Sequence, residues 1–549
     1  MNYELTLFQH FQPNRKTETT IETIATIWHC STRHAKTQLH RLHEQQIIHW
    51  ETFQGRGKKP FLTILVQEMD VLLDAMETLW QKSKFEEAIQ LAKEMGRLNH
   101  PNVQHWLTIR FGIQHEKNRH VFRQSMYFVE LCLDPHQALS RHDIHVLEQI
   151  HETLFIIDDA GRVQPNLLFH FSTQDAITWH FLLRKGIQFH HLQEVTVTDV
   201  KATLLAGAFI YKHSFEIESI EVIDRYELVV KLKNACALFP YFLASTRLAI
   251  VPEDGQKNIG CGPFMLLEQN ENQLTLQAFQ HYFKSRPWID CVEIVYNREF
   301  QMDAIRYEPF EPTIPSRKIE FEEPGACYIC FNSRYGPFVD EQLRAYIWHA
   351  IEPSDFILAE ENEKVAYSWH LEGEGIILPE PEQKPKLPEM LVIGYQQIRQ
   401  GVNHEEKAKI LQQQLSEMGI NVKLTCINFK EQQNKVNETI DLFIGGIALG
   451  QNLILSLLQS YLAEPKIILN FLTSSAEMHV KQLLQTVVQK NADPMIFHEI
   501  EHFIQQTYTV KFITQRKHTY YVREDTPYKH VQFDKHGRID YRNLFYSNE

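Results

Sequence analysis

The chain has 549 residues, of which 43% are hydrophobic and 23% are charged, and its formal net charge is −14. This length exceeds what one hydrophobic core supports, so a single-domain protein is excluded and two or more domains are expected. The composition is ordinary for a soluble globular protein, and the acidic balance argues against nucleic-acid binding over the whole surface.

The charge is unevenly distributed along the chain. Residues 1–67 contain eight Lys and Arg and five Asp and Glu, which gives +3 for this segment and −17 for the rest. A small basic head (residues 1–67) on a large acidic body fits local contact with DNA, because the field of the body discourages indiscriminate binding.

Targeting signals are not visible in the sequence. Met1–Pro13 lacks the pattern of a secretory signal, since Gln9, His10 and Gln12 interrupt the apolar residues. The most apolar short run, Leu442–Leu449, is too short to cross a bilayer. The eight cysteines are scattered, as in a reducing compartment. We therefore expect a cytoplasmic protein without membrane contact.

The first 66 residues predict the order helix, helix–turn–helix, hairpin. Tyr3–Phe11 and Thr20–Trp28 are the first two predicted helices, and a third runs from residue 32 to about residue 45. Two strands, Ile47–Gln54 and Phe61–Val66, enclose a loop that is rich in glycine and lysine.

The third helix has an apolar face and a basic face. Ser31 is a suitable N-cap, and Ala35, Leu39 and Leu42 recur at the spacing of one buried helix face. A basic helix followed by a hairpin with a basic tip is typical of a winged helix that grips duplex DNA. The alternative is a charged face that only contacts solvent, and the basic tip favours DNA binding over it. The predicted DNA contacts are Ser31, Arg33, Lys36, Thr37, His40 and Arg41 in the helix, and Arg56, Lys58 and Lys59 in the wing.

The next segment is predicted to be a helical connector. Two helices with apolar stripes lie between Met69 and Gly96, separated near Lys82–Lys84. We interpret them as a connector that packs on its neighbours, with a dimerisation hairpin as the alternative. From about Val121 the pattern changes to short strands that alternate with helices and turns.

From residue 131 on, the sequence resembles the family 5 solute-binding proteins, the peptide- and nickel-binding type. The most specific segment is Leu183–His190, which is followed by Thr198–Lys201. Further motifs occur in the family's order: Leu133–His136, Gln149–Leu154, Gly260–Phe264, His281–Asp290, Phe331–Ser333 with Phe338, Asp340, Leu343 and Arg344, and Glu406–Val422.

Family 5 proteins are normally exported, whereas here a predicted winged helix precedes the matching region. This combination, together with the closing segment Phe533–Tyr541, resembles the SgrR-type transcriptional regulators. The resemblance implies a multi-domain chain with an all-α, winged helix–turn–helix head, a helical connector and a two-lobed α/β body of the periplasmic-binding-protein type II fold. We expect the head at 1–67, the connector at 68–120 and the body at 121–549. Lobe 1 would comprise about 121–300 and 506–549, and lobe 2 about 301–505, so that the chain crosses the hinge twice.

The resemblance also implies a cleft that closes around a small-molecule effector. Peptide-binding relatives place aromatic and acidic residues after the strand that corresponds to Asp441–Gly446. Residues 445–452 lack such an element, which argues against capture of a free peptide amine and leaves a sugar, a sugar phosphate or a peptide open as the solute. By position, the candidate cleft residues are Asn332, Tyr335, Trp348 and Asn452, and a packing role is the alternative for each.

Catalytic and metal-binding motifs are absent from the sequence. Cys327-Tyr328-Ile329-Cys330 is a single Cys-x-x-Cys without the second pair that a zinc site needs. In a strand, residues three apart point to opposite faces, so we expect two buried thiols rather than a redox disulfide. His190 belongs to the family signature and is predicted to be structural. Without a Ser–His–Asp order, a nucleophile elbow or a phosphate loop, we expect no enzyme activity and no cofactor.

The sequence therefore favours a cytoplasmic transcriptional regulator whose solute-binding-like body senses a small polar metabolite and modulates promoter binding. Two alternatives remain at this point. The body could be a cytoplasmic solute buffer or chaperone whose winged helix binds proteins, or it could have lost its ligand and act as a scaffold. The sequence leaves the oligomeric state open, a homo-oligomer included.

Overall fold

The computed structural model describes residues 3–546 except 54–57, 83, 99, 117–118, 127–129, 139, 159, 297–304, 308–314, 359–361, 371–372, 374, 397–402, 428–435, 451, 463–465, 491–494, 524–527, 530 and 534–537. The chain divides into two compact units. Unit 1 comprises Met1–Phe128, Glu268–Thr275 and Val292–Ala304, and unit 2 comprises Val129–Leu267, Leu276–Cys291 and Ile305–Glu549. The domain boundaries given above stay predictions.

Helices and strands are mixed along the chain. The α-helices are α1 (Tyr3–Phe8), α2 (Ile21–Ile27), α3 (Thr32–Glu44), α4 (Glu68–Trp80), α5 (Phe85–Glu94), α6 (Pro101–Thr108), α7 (Arg141–Ile150), α8 (Val197–Gly207), α9 (Phe239–Leu243), α10 (Glu341–Ala350), α11 (His404–Glu417), α12 (Val436–Thr439), α13 (Leu453–Leu462), α14 (Ile467–Phe471), α15 (Ser474–Gln489) and α16 (Met495–Gln506). Short 3₁₀ helices cover Ala208–Tyr211, Thr246–Leu248, Pro337–Val339 and Pro353–Phe356.

The strands are short, with one exception of fourteen residues near the C-terminus. They are β1 (Thr17–Glu18), β2 (Ile48–Glu51), β3 (Phe61–Ile64), β4 (Gly112–Glu116), β5 (Arg119–Met126), β6 (Phe155–Ile157), β7 (Val163–Pro165), β8 (Leu168–Ser172), β9 (Thr178–Leu183), β10 (Ile217–Val222), β11 (Glu227–Leu232), β12 (Phe264–Gln269), β13 (Gln273–Ala278), β14 (Cys291–Tyr296), β15 (Ile305–Tyr307), β16 (Ser316–Glu322), β17 (Gly325–Phe331), β18 (Glu363–Val365), β19 (Met390–Gln396), β20 (Asn421–Ile427), β21 (Leu442–Ala448), β22 (Val510–Arg523), β23 (Tyr528–Lys529) and β24 (Phe545–Tyr546).

The N-terminal part of unit 1 has the predicted order of three helices and a hairpin. Each predicted element is present, and the ends differ by up to three residues. A third strand, β1, pairs with β3 to give the sheet order β1-β3-β2. The sequence did not predict β1, because two residues are too few to show an alternating pattern. The core between helices and sheet consists of Leu7, Ile24, Ala25, Trp28, Ala35, Leu39, Leu42, Ile48, Leu62 and Ile64.

The helices α4 and α5 confirm the two helices predicted for the connector, and α6 follows them. Their shared core is mostly aliphatic and includes an aromatic cluster, in which the Trp80 ring lies 4.6 Å from the ring of Phe85 and 5.3 Å from that of Trp106. The two returning segments of unit 1 contribute to a five-stranded sheet in the order β12-β13-β14-β5-β4.

Unit 2 contains a four-stranded antiparallel sheet, β10-β11-β9-β8, and a larger sheet in the order β15-β22-β17-β21-β19-β20. The long strand β22 joins the parts of the larger sheet, because it pairs with β15 and β16 along its C-terminal half and with β17 and β18 along its N-terminal half. Strand β19 is parallel to β20 and β21, whereas β17 is antiparallel to β21.

Strand β17 is buried on both sides and separates two apolar cores. Cys327, Ile329 and Phe331 face a core with α10 and α11, whereas Tyr328 and Cys330 face the core that includes α13 to α16. The two cysteines are buried and unbridged. The prediction of two buried thiols on opposite faces of a strand is therefore confirmed.

Candidate nucleic-acid interface and solute-binding body

Helix α3 begins where the sequence predicted and buries the predicted face. The Ser31 hydroxyl accepts a hydrogen bond from the backbone N–H of His34 at 3.3 Å, which caps the helix. Ala35, Leu39 and Leu42 are almost completely buried. The opposite face therefore lies at the surface, and the burial of three apolar residues fixes which side chains it presents.

The exposed face of α3 carries a row of basic and polar side chains. Arg33, Lys36, Thr37 and His40 are all exposed and follow one another at helical spacing. The Thr37 hydroxyl donates to the Arg33 carbonyl oxygen at 3.1 Å, so it is partly satisfied within the helix. Within the described part of the chain, Arg33 and Lys36 have no ion-pair partner. Both cations are therefore available to an anionic ligand.

Two other predicted contacts on α3 are already engaged within the head. Arg41 lies 3.7 Å from the Glu4 carboxylate, and His40 lies 3.2 Å from that of Glu44. Burial raises the pKa of Glu4, while the nearby Arg41 lowers it. Ser31 uses its hydroxyl for the helix cap.

The wing is described only in part. Arg56 lies outside the described residues, and Lys58 and Lys59 are exposed. The ammonium of Lys59 lies 2.9 Å from the Glu18 carboxylate of β1, which raises the pKa of Lys59. The sequence did not single out Lys16, whose ammonium lies 4.7 Å above the Phe61 ring and pairs with Glu51. Pairing across strands could not be read from the sequence, because β1 was not predicted.

Of the four candidate solute contacts, Asn332 and Tyr335 belong to the loop after β17. Asn332 is buried, and its amide donates to the Ile440 carbonyl oxygen at 2.8 Å. Its side-chain oxygen accepts from the backbone N–H groups of Arg334 and Tyr335. Tyr335 itself is exposed. Asn332 therefore shapes the loop that presents Tyr335.

The other two candidates also have internal partners. Trp348 is buried beside the Lys511 ammonium, which lies 4.0 Å from the ring and donates to the Trp348 carbonyl oxygen at 2.6 Å. The Asn452 amide donates to the Tyr241 carbonyl oxygen at 2.9 Å, and its oxygen accepts from the backbone N–H of Leu455. These contacts tie α10 to β22 and α13 to α9.

The family signature around His190 has a structural role. The His190 ring accepts from the Gly260 N–H at Nδ1 and contacts the Gly262 carbonyl oxygen at 3.1 Å through Nε2. Burial lowers the pKa of His190 to about 4, so the ring is neutral at pH 7. A Cβ at Gly260 would lie 2.1 Å from the Ile150 carbonyl oxygen, which explains the glycine. The prediction that His190 is structural is confirmed.

A cavity of about 580 Å³ opens on the four-stranded sheet of unit 2. It is lined by His170, Ser172, Thr173, Gln174, Asp175, Thr178, His180, Phe181, Leu182 and Glu227. None of these residues was predicted from the sequence. The signal that the sequence offers is the alternation of polar Thr178 and His180 with Trp179 and Phe181, which are buried in β9.

Glu501 of α16 is a buried carboxyl in unit 2. It accepts a hydrogen bond from the Trp369 N–H at 3.2 Å, and burial raises the pKa of Glu501 to about 7. Its folded-state pKa lies above the unfolded value, so the free energy of unfolding falls as the pH rises from about 4.5 to about 7. We expect Glu501→Gln to raise the free energy of unfolding by about 1–3 kcal/mol at pH 8 and to change it little near pH 4.

Thermal unfolding at several pH values tests this effect, with each transition of the variant compared with the same transition of the unmodified chain. Glu499→Gln is the matched control, because Glu499 lies exposed on the same helix and its substitution should change little at any pH. Equal effects of the two substitutions at pH 8 would contradict the prediction.

Two absences hold for the part of the chain that the structure describes. No group of three or more His, Cys, Asp or Glu residues there could hold a metal ion. No described helix is long and apolar enough to cross a membrane.

Two family models match the chain. Residues 1–118 match the N-terminal segment of the sugar transport-related sRNA regulators, and residues 162–360 match the middle part of the bacterial extracellular solute-binding proteins, family 5.

Curated relatives carry the name HTH-type transcriptional regulator SgrR. The protein from Pectobacterium atrosepticum is 27% identical over 348 residues, which are 60% of this chain and 60% of that protein. The protein from Escherichia coli (strain K12) is 25% identical over 438 residues, which are 75% of this chain and 76% of that protein.

Solved structures show the fold of the body. HbpA2 from Haemophilus parasuis superposes on this chain with a TM-score of 0.62 and is 15% identical to it. The superposition covers 78% of this chain and 100% of the HbpA2 chain. NikA from Brucella suis, in complex with Fe(III)-EDTA, superposes with a TM-score of 0.61 and is 15% identical. That superposition covers 77% of this chain and 100% of the NikA chain. The relatives named here are regulators and solute-binding proteins rather than enzymes. The chain is therefore similar to the SgrR-type regulators: a segment that matches their N-terminal model precedes one that matches the family 5 solute-binding proteins.

Proposed function

We propose that this protein is a cytoplasmic transcriptional regulator that binds promoter DNA through α3 and the wing, and whose body senses a small polar solute. The observation that carries the proposal is the exposed row of α3, in which Arg33 and Lys36 have no carboxylate partner among the described residues. The names of the curated relatives support it. In a winged helix this row would lie in the major groove, with Lys58 and Lys59 on the backbone.

The body supports the sensing half of the proposal. Its fold is that of proteins that enclose solutes. Two separate segments of the chain, β16–β17 and β22, pair with each other in the larger sheet. A solute shifts DNA binding only if it binds one form of the body better and that form presents the head differently. A sugar, a sugar phosphate or a peptide remains the proposed class of solute.

The test is a selection of genomic fragments by the purified full-length chain, with and without an extract of cell metabolites. We expect enrichment of a few promoter fragments, and a change in that enrichment when the extract is added. If the same fragments are enriched with and without the extract, the proposed sensing function is wrong and the proposed DNA binding stands. No enrichment in either condition would overturn the proposal and favour a solute buffer whose winged helix binds proteins.

A further inference from the structure

The carboxylates of the head are placed next to its basic residues. Residues 1–67 contain five Asp and Glu. Four of them lie within ion-pair distance of a basic side chain: Glu4 with Arg41, Glu18 with Lys59, Glu44 with His40, and Glu51 with Lys16. The basic surface is therefore smaller than the count of basic residues suggests.

Two of these pairs involve residues that the proposed function places on DNA. Glu18 reaches Lys59 from β1, and Glu4 reaches Arg41 from α1. Each carboxylate belongs to a different element from its cation, so the fold itself creates the pairing. A phosphate that contacts either cation must replace the carboxylate or accept its repulsion.

We propose that Glu4 and Glu18 compete with DNA phosphates for Arg41 and Lys59 and thereby weaken sequence-independent DNA binding. The inference rests on the proposed DNA-binding function. Non-specific affinity comes almost entirely from phosphate contacts, so competition for the two cations lowers this affinity directly. Arg33 and Lys36, which lack a carboxylate partner in the described part of the chain, remain free for contacts that identify a sequence.

The experiment measures the affinity of the full-length chain for a duplex of random sequence at low and moderate salt. Glu→Gln keeps the size of the side chain and removes its charge. An exposed ion pair contributes up to about fivefold in an equilibrium constant, so the double variant Glu4→Gln, Glu18→Gln should bind about threefold to tenfold more tightly at low salt. The gain should shrink as salt is added, because screening weakens exposed ion pairs.

Glu22→Gln provides the matched control for Glu18→Gln alone, since each removes one negative charge, and Glu22 is exposed in the same head and has no ion-pair partner in the described part of the chain. An equal gain for this control would overturn the inference, because net charge alone would then explain the result. The inference would also be overturned if the unmodified chain binds the duplex and the double variant binds it with the same affinity. The proposed function would fail separately, if the unmodified chain were retained on no duplex at all. Glu18→Gln alone covers the case in which the Glu4 substitution disturbs α1.

Discussion

Substitution of Lys407 by methionine is expected to lower the free energy of unfolding of the α11 region by about 3–5 kcal/mol. Lys407 and Glu363 form an ion pair whose two side chains are 0% and 1% exposed. The Lys407 ammonium also donates to the Phe356 carbonyl oxygen at 2.8 Å, and the Glu363 carboxylate accepts from the Thr514 hydroxyl at 2.9 Å. Methionine removes the positive charge and leaves a buried carboxylate without its counter-ion.

Hydrogen exchange in the region around α11 measures this effect locally, which is preferable because a chain of several domains does not unfold in one step. Lys409→Ala is the matched control on the same helix. Lys409 pairs with Glu405 and Glu406 at the surface, where such pairs contribute about 0–1 kcal/mol.

A second variant keeps the test decisive. Replacing both partners, as Lys407→Met with Glu363→Leu, should restore most of the stability, because no unpaired charge is then buried. Exchange rates in Lys407→Met equal to those of the unmodified chain would contradict the buried ion pair.

The double substitution Arg33→Ala, Lys36→Ala is expected to weaken binding to a selected promoter fragment by about a hundredfold. A good contact to a base or phosphate contributes about 1–3 kcal/mol, and two such contacts would be lost. Both side chains lie on the exposed face of α3, away from its buried residues, so the fold should persist.

Fluorescence anisotropy with the promoter fragment measures the loss, and thermal unfolding checks the fold. The control is Lys82→Ala with Lys212→Ala, which removes the same charge at exposed positions outside α3. If both double variants lose affinity equally, the effect is one of net charge and α3 is not the reading helix. We expect Arg41→Ala to lower the affinity for the promoter fragment less than Arg33→Ala does, because Arg41 already lies beside Glu4.

Local signals predicted the head well. The Ser31 cap and the spacing of Ala35, Leu39 and Leu42 depend on residues within one or two turns, and the structure confirms both. The opposite-facing cysteines of β17 follow in the same way from the two-residue period of a strand. The predicted ends of elements were less accurate, since the last turn of a helix or the last strand pair depends on tertiary neighbours.

By itself, the sequence determined the type of the long elements in the first 96 residues, the apolar faces of their helices, and the likeness of the chain's motifs to two families. These features depend on neighbours along the chain, so the order of residues contains them. Only the tertiary structure decided which charges are available. Glu18 pairs with Lys59 across 41 positions, and Glu363 with Lys407 across 44. The tertiary structure also showed that the side chains of Asn332, Trp348 and Asn452 donate hydrogen bonds to backbone carbonyl oxygens within the protein. Such contacts join residues far apart in the chain, and no local pattern specifies them.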